Sequence, residues 1–167
     1  SMPTSRSRTK DASLSRLIFP GLAPFYRAGE QAAYALLRFA FGLTMVTHGI
    51  PKLTGAAHGS MADPLQGSTN LIANVLGLPF APELAWCVTI LEVFGGIALA
   101  LGLATRFVAP MFAIQAAAIC IALAPTYPWI DRGIEYPLIL GFVALFFAMR
   151  GGGCMPGTMA WARADGA

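Results

Sequence analysis

The stretch Leu84–Leu103, LAWCVTILEVFGGIALALGL, decides the fold class. As an α-helix its 20 residues rise about 30 Å, the thickness of a bilayer's hydrocarbon core, and they carry one charge, Glu92, near the middle. Three further apolar blocks flank it. Ala32–Ile50 (AAYALLRFAFGLTMVTHGI) is interrupted by Arg38 and closed by the Gly49–Ile50–Pro51 breaker. Phe107–Leu123 has no charge and stops before Pro125 and Pro128. Tyr136–Met149 supplies only 14 apolar residues, so it must borrow from the Ile134 side or sit where the bilayer thins. Arg150 and Gly151–Gly152–Gly153 end this block as a helix should end.

Composition agrees with that reading. Charged residues make up 11 % of the 167, against roughly 25 % in a soluble globular domain, and 56 % are hydrophobic. A cleaved signal peptide does not fit, because the first apolar block starts about 30 residues in and others follow it. A β-barrel would alternate apolar and polar residues, whereas Leu99–Phe107 (LALGLATRF) and Val143–Arg150 (VALFFAMR) are apolar on all sides. The expectation is an all-α membrane protein, a four-transmembrane-helix bundle with spans at about 32–50, 84–103, 107–123 and 134–149. These spans form one domain, 31–153, between a disordered to interfacial N-terminal segment, 1–30, and a C-terminal tail, 154–167.

Charge placement gives the expected orientation. Arg6, Arg8, Lys10, Arg16 and Arg27 precede the first span, Arg106 sits in the 2–3 turn, and Arg150 and Arg163 follow the fourth; the other two loops hold only Lys52 and Arg132. The positive-inside rule then places both termini in the cytoplasm, in a bacterial inner membrane. The basic excess is topology rather than a nucleic-acid site, since SRSRTKDASLSR, residues 5–16, reads as disordered and has no aromatic platform. The 1–2 loop is too long for a simple connector. Within it, Ser68 or Thr69 is expected to cap a short interfacial helix, NLIANVLG, ended by Gly77, which either seals the bundle or forms a lid over a site.

Ionisable residues at membrane depth cost about 2.5–3.5 kcal/mol each and should have a partner or a role. With the first helix ending at His48, Arg38 and Glu92 fall at one depth, which predicts an Arg38–Glu92 ion pair. Such a pair either fixes helix register or polarises a bound polar head group. His48, Lys52, Asp131 and Glu135 gather at the outer side, as an ordinary interfacial cluster or as a proton shuttle to a redox carrier. His48 and Lys52 share a face only if the helix passes Pro51, and proline argues against that. Gln115, in the third span, can bond a carbonyl or another helix. Two His, one of them (His58) in the loop, cannot bracket a haem, and Cys87, Cys120 and Cys154 lack metal-ligand spacing, so neither a haem nor a metal site is expected.

The order Arg38, His48–Gly49 with Lys52, Gly77–Leu78–Pro79, Glu92 with Gly95–Gly96, Gly102–Leu103, Thr105–Arg106, Glu135 and a closing glycine cluster resembles the DoxX family of small four-helix membrane proteins, over about Tyr34 to Gly153. Cys154–Met155–Pro156–Gly157 stands where that family usually has Ser-Leu-Asp. The resemblance implies a membrane subunit of a quinone-linked complex, of the thiosulfate:quinone oxidoreductase or thiol-stress kind. It carries over Arg38, His48, Lys52, Glu92 and Glu135 as positions of the family's polar pattern. On this reading a quinone head group, the implied cofactor, lies near Arg38, Glu92 and Gln115. A protein partner brings the redox centre, the chain itself is a non-catalytic subunit, and a homo-oligomer is compatible with it. The alternative is a scaffold or assembly factor that docks a partner protein, marked by a lipid-facing groove of small residues.

Overall fold

The computed structural model describes residues 17–152. The N-terminal run through Arg16 and the tail from Gly153 onward, with Cys154 and Arg163, lie outside the described residues. Every regular element described is helical, and five helices carry the fold. They are α1 (Ala23–Thr54), α2 (Pro64–Asn70, continued by a π-turn Leu71–Val75), α3 (Ala81–Leu101), α4 (Thr105–Leu123) and α5 (Glu135–Arg150). Short 3-10 turns cover Pro20–Leu22 and Trp129–Asp131. The chain divides into two compact units, one ending at Leu36 and the other starting at Leu37. In the first, Phe25 and Tyr26 pack edge to face with ring centroids 5.9 Å apart.

α1, α3 and α4 are long and apolar enough to cross a membrane. α5 has 16 residues, about 24 Å of helix, and is shorter than that length. The elements differ from the sequence-based expectation at three points. First, α1 begins at Ala23, inside the segment expected to be disordered or interfacial, and runs through Pro51 to Thr54. Pro51 lies in the last turn, where its missing N–H forfeits one bond, and Lys52 beside it suits the negative end of the helix dipole. Second, α2 starts earlier than Ser68: Asp63 caps it by accepting from the Gln66 backbone N–H at 3.1 Å, with Pro64 in the first turn. Third, α3 contains a π-turn over Leu91–Gly95, a local widening that swings Glu92 into the helix packing.

From Leu37 onward, α1, α3, α4 and α5 pack antiparallel to their neighbours. Glycines set how close α1 and α3 come. A Cβ on Gly42 would lie 2.7 Å from the Ala100 backbone nitrogen, and one on Gly96 would lie 2.7 Å from the Gly42 carbonyl. About two turns further along α1, a Cβ on Gly49 would meet the side chains of Val93 and Glu92 at 2.7 and 2.9 Å. Gly49 is therefore a packing residue inside the helix and not a breaker. Gly95 serves the other side of α3, against Val108 and Phe112 of α4. Phe41 meets Phe112 and Phe147 edge to face, at 5.6 and 5.4 Å, and joins α1 to α4 and α5. Leu65, Ile72, Ala81 and Ala85 pack α2 on the start of α3.

The surface is inverted relative to a soluble protein. Phe94, Phe107, Ile114, Ile121, Phe142 and Met149 are exposed, while Arg38, Thr89, Glu92 and Thr105 are buried. Polar groups inside and large apolar groups outside suit a lipid solvent. Filling the α1–α3 contact should be costly: Gly42→Ala is expected to lower stability by about 1–3 kcal/mol, read as a fall in thermal midpoint in detergent. Gly29→Ala, on a helical stretch with nothing within 4 Å of the added methyl, should be neutral or stabilising.

Candidate functional site

Glu92 is 4 % exposed and sits in the π-turn of α3, aimed between α1 and α4. Lys52 Nζ donates to both of its oxygens, at 3.1 Å to Oε1 and 3.0 Å to Oε2. Gln115 Nε2, from α4, donates to Oε1 at 2.8 Å. Three helices thus converge on one carboxylate, and the Lys52 side chain is itself only 11 % exposed. Such a pair is paid for by desolvation, which the short contacts and the third hydrogen bond offset. The amide of Gln115 has one orientation that works, since turning it over would set its oxygen against the carboxylate. Held that way, Gln115 Oε1 is buried without a hydrogen-bond partner among the described residues.

The expected Arg38–Glu92 pair is replaced by this Lys52–Glu92 pair. Arg38 lies fourteen residues before Lys52, about 21 Å along α1. It belongs to the opposite end of the bundle, where Nη1 donates to the carbonyl of Gly152 just after α5. Gly102, at φ +76° between α3 and α4, leaves room for it: a Cβ there would come within 2.7 Å of Arg38 Nη2. Two facts displaced the expectation. α1 continues past His48 to Thr54, and the Gly42, Gly49 and Gly96 contacts shift the α1–α3 register by about three turns. Arg38 therefore ties α1 to the end of α5, while Lys52 serves the carboxylate.

His48 and Lys52 do share a face, because the helix passes Pro51. His48 Nδ1 lies 2.9 Å from the Thr44 carbonyl. Its ring meets that of His58, with centroids 5.0 Å apart and planes at 50°. The 1–2 loop thus folds back on α1, which the spacing of these two residues in the chain does not reveal. Ser60, in the same loop, accepts from Arg132 Nη2 of the loop before α5. Glu135 is turned to local work: its Oε2 accepts from the Trp129 backbone N–H at 3.0 Å and holds the Trp129–Asp131 turn. An open apolar groove of about 370 Å³ runs between α4 and α5, with Ala113, Ala116, Ala117 and Gly141 along its floor.

Energetic separation of the two polar ends gives a test. Glu92→Ala leaves Lys52 buried without its carboxylate and should cost about 3–5 kcal/mol. Gln115→Leu should cost about 1.5–3 kcal/mol, the worth of a hydrogen bond to a charged group. In double-mutant cycles read by denaturant unfolding in micelles, Glu92→Ala should couple strongly to Lys52→Met. With Arg38→Met it should be additive within about 0.5 kcal/mol.

Compared with known proteins, residues 33–124, just over half of the chain, match the DoxX family model. The matched stretch holds Arg38, His48, Lys52, Glu92 and Gln115 and ends before Glu135. No curated protein and no solved structure gives a significant match.

Proposed function

The chain belongs to the DoxX family, and on that footing we propose that it is an integral subunit of a quinone-linked redox complex in a bacterial inner membrane. The supporting observation is the Lys52–Glu92–Gln115 set, a buried carboxylate held by two donors beside the Gln115 Oε1 acceptor that none of the described residues satisfies. A quinone head group fits this donor set. Of the three Nζ hydrogens of Lys52, two face Glu92, which leaves one for a ring carbonyl. Gln115 Oε1 would accept from a ring hydroxyl, and Glu92 is placed to exchange a proton. A bound quinone would supply a two-electron, two-proton couple, and a protein partner of the thiosulfate-oxidising or thiol-stress kind would supply the electrons.

In this reading α5 is the fourth span and both termini are cytoplasmic. Ile139, Phe142, Leu145, Phe146 and Met149 on α5 face outward as lipid-facing residues do. Its 16 residues are accommodated by thinning of the bilayer. Arg106 and Arg150 lie at the Arg38 end of the bundle, whereas Lys52 and Arg132 lie at the other, so the basic excess marks the cytoplasmic end. In a background with Cys87, Cys120 and Cys154 changed to Ser, Ala57→Cys should react with an impermeant maleimide on intact cells. Leu103→Cys should react only after permeabilisation, and the reverse pattern would overturn this orientation.

The quinone site is tested by titrating the purified chain in nanodiscs with a short-chain quinol analogue. Saturable binding, weakened at least about tenfold (about 1.4 kcal/mol) by Gln115→Leu and by Glu92→Gln, is expected. Absence of saturable binding, or variants that bind like the parent, would sink the proposal. The α4–α5 groove favours a second reading, a scaffold that docks a partner helix against its small residues. That reading predicts no quinol binding, and a defined stoichiometric complex that Ala117→Leu disrupts.

A further inference from the structure

We propose that His48 and His58 form a two-imidazole site for a borderline divalent cation of the zinc class, at the end of the bundle that carries Lys52. The ring spacing is one that two ligands of a single ion share with packed rings. Two imidazoles bound through nitrogen at about 2.0–2.1 Å from one tetrahedral metal place their ring centroids about 5 Å apart. The observed separation is 5.0 Å with the planes tilted by 50°. The Thr44 carbonyl can only accept, so His48 Nδ1 at 2.9 Å from it carries the proton, and the lone pair of neutral His48 sits on Nε2. A ring N–H fixed on a backbone carbonyl is the support that metal-ligating histidines ordinarily have.

The surroundings also permit a cation. Lys52, one turn along α1, has its charge matched by both oxygens of Glu92. His58 is held in place by its backbone pairing with Met61, while Arg132 anchors the adjacent Ser60. Among the described residues no third His, Cys, Asp or Glu joins the pair. The remaining coordination positions therefore go to water or to an incoming ligand, as in sites that keep open positions. A bound cation would staple the 1–2 loop to α1.

The test uses the untagged full-length chain in nanodiscs at about pH 7.5, where imidazole is mostly neutral. Zn2+ is titrated in competition with a chromophoric chelator. One saturable site is expected, weakened at least roughly tenfold by His48→Gln and equally by His58→Gln, since losing a ligand costs no less than losing an outer-shell partner. The double variant, with neither imidazole left, should bind no more tightly than the weaker single one, because both rings serve one ion. His58→Gln, in the loop, keeps the test valid if His48→Gln fails to fold. Absence of a saturable site, or a site that survives either substitution, would overturn the proposal. Both outcomes are independent of quinol binding.

Discussion

A carboxylate between apolar helices has to be matched by a positive charge, and the partner of Glu92 determines how the helices meet. Lys52 reaches it from α1 and Gln115 from α4, so one side chain links three helices. Close approach makes the link geometrically feasible. Gly42, Gly49 and Gly96 let α1 and α3 touch along their backbones, and without that contact the Lys52 stem would not span the gap while keeping both short bonds. The π-turn at Leu91–Gly95 adds the local rotation that aims Glu92 at the junction. Small residues, an irregular turn and a charge pair are parts of one constraint, since loss of any of them would strand a buried charge.

The opposite end of the bundle obeys the same logic with a different solution. Arg38 is 5 % exposed, and its guanidinium Nη1 donates to the Gly152 carbonyl just beyond α5. A backbone carbonyl two residues past α5 and a buried cation answer one another there. Gly102 and Gly152 clear the space, and a Cβ on either would collide with neighbouring atoms. The two ends therefore differ in character. At one end Arg38 bonds the Gly152 backbone carbonyl, whereas the Lys52 end holds a carboxylate, an amide oxygen without a hydrogen-bond partner among the described residues, and two imidazoles. This difference is why the candidate chemistry is placed at the second end.

Hydropathy located the helices well because a long apolar run has few alternatives: Leu84–Leu103 anticipated Ala81–Leu101, and Phe107–Leu123 anticipated Thr105–Leu123. The polar residues with work to do were also visible as charges or amides out of place, notably Arg38, Lys52, Glu92 and Gln115. Their pairing was not. Register between two helices is set by which side chains are absent at the contact, and Gly42 carries no hydropathy signal of that kind. Pro51 looked like a stop but lies where a helix loses least from a proline. The Asp63–Pro64 cap was masked by Ser68 and Thr69 nearby, and a cap is only as telling as its backbone geometry. His58 meets His48 through a loop whose path no local pattern encodes.

The central claim, that Lys52 and Glu92 are one interaction fixing the α1–α3 register, is tested most directly by exchanging the two charges. Lys52→Glu and Glu92→Lys should each leave two like charges facing one another and sharply reduce the yield of folded protein. The double exchange restores opposite charges at the same contact and should recover a large part of that yield, measured as monodisperse protein from size exclusion in detergent. A double variant no better than the worse single variant, with Arg38→Glu rescuing Glu92→Lys instead, would place the partner of Glu92 elsewhere on α1 and contradict the register described here.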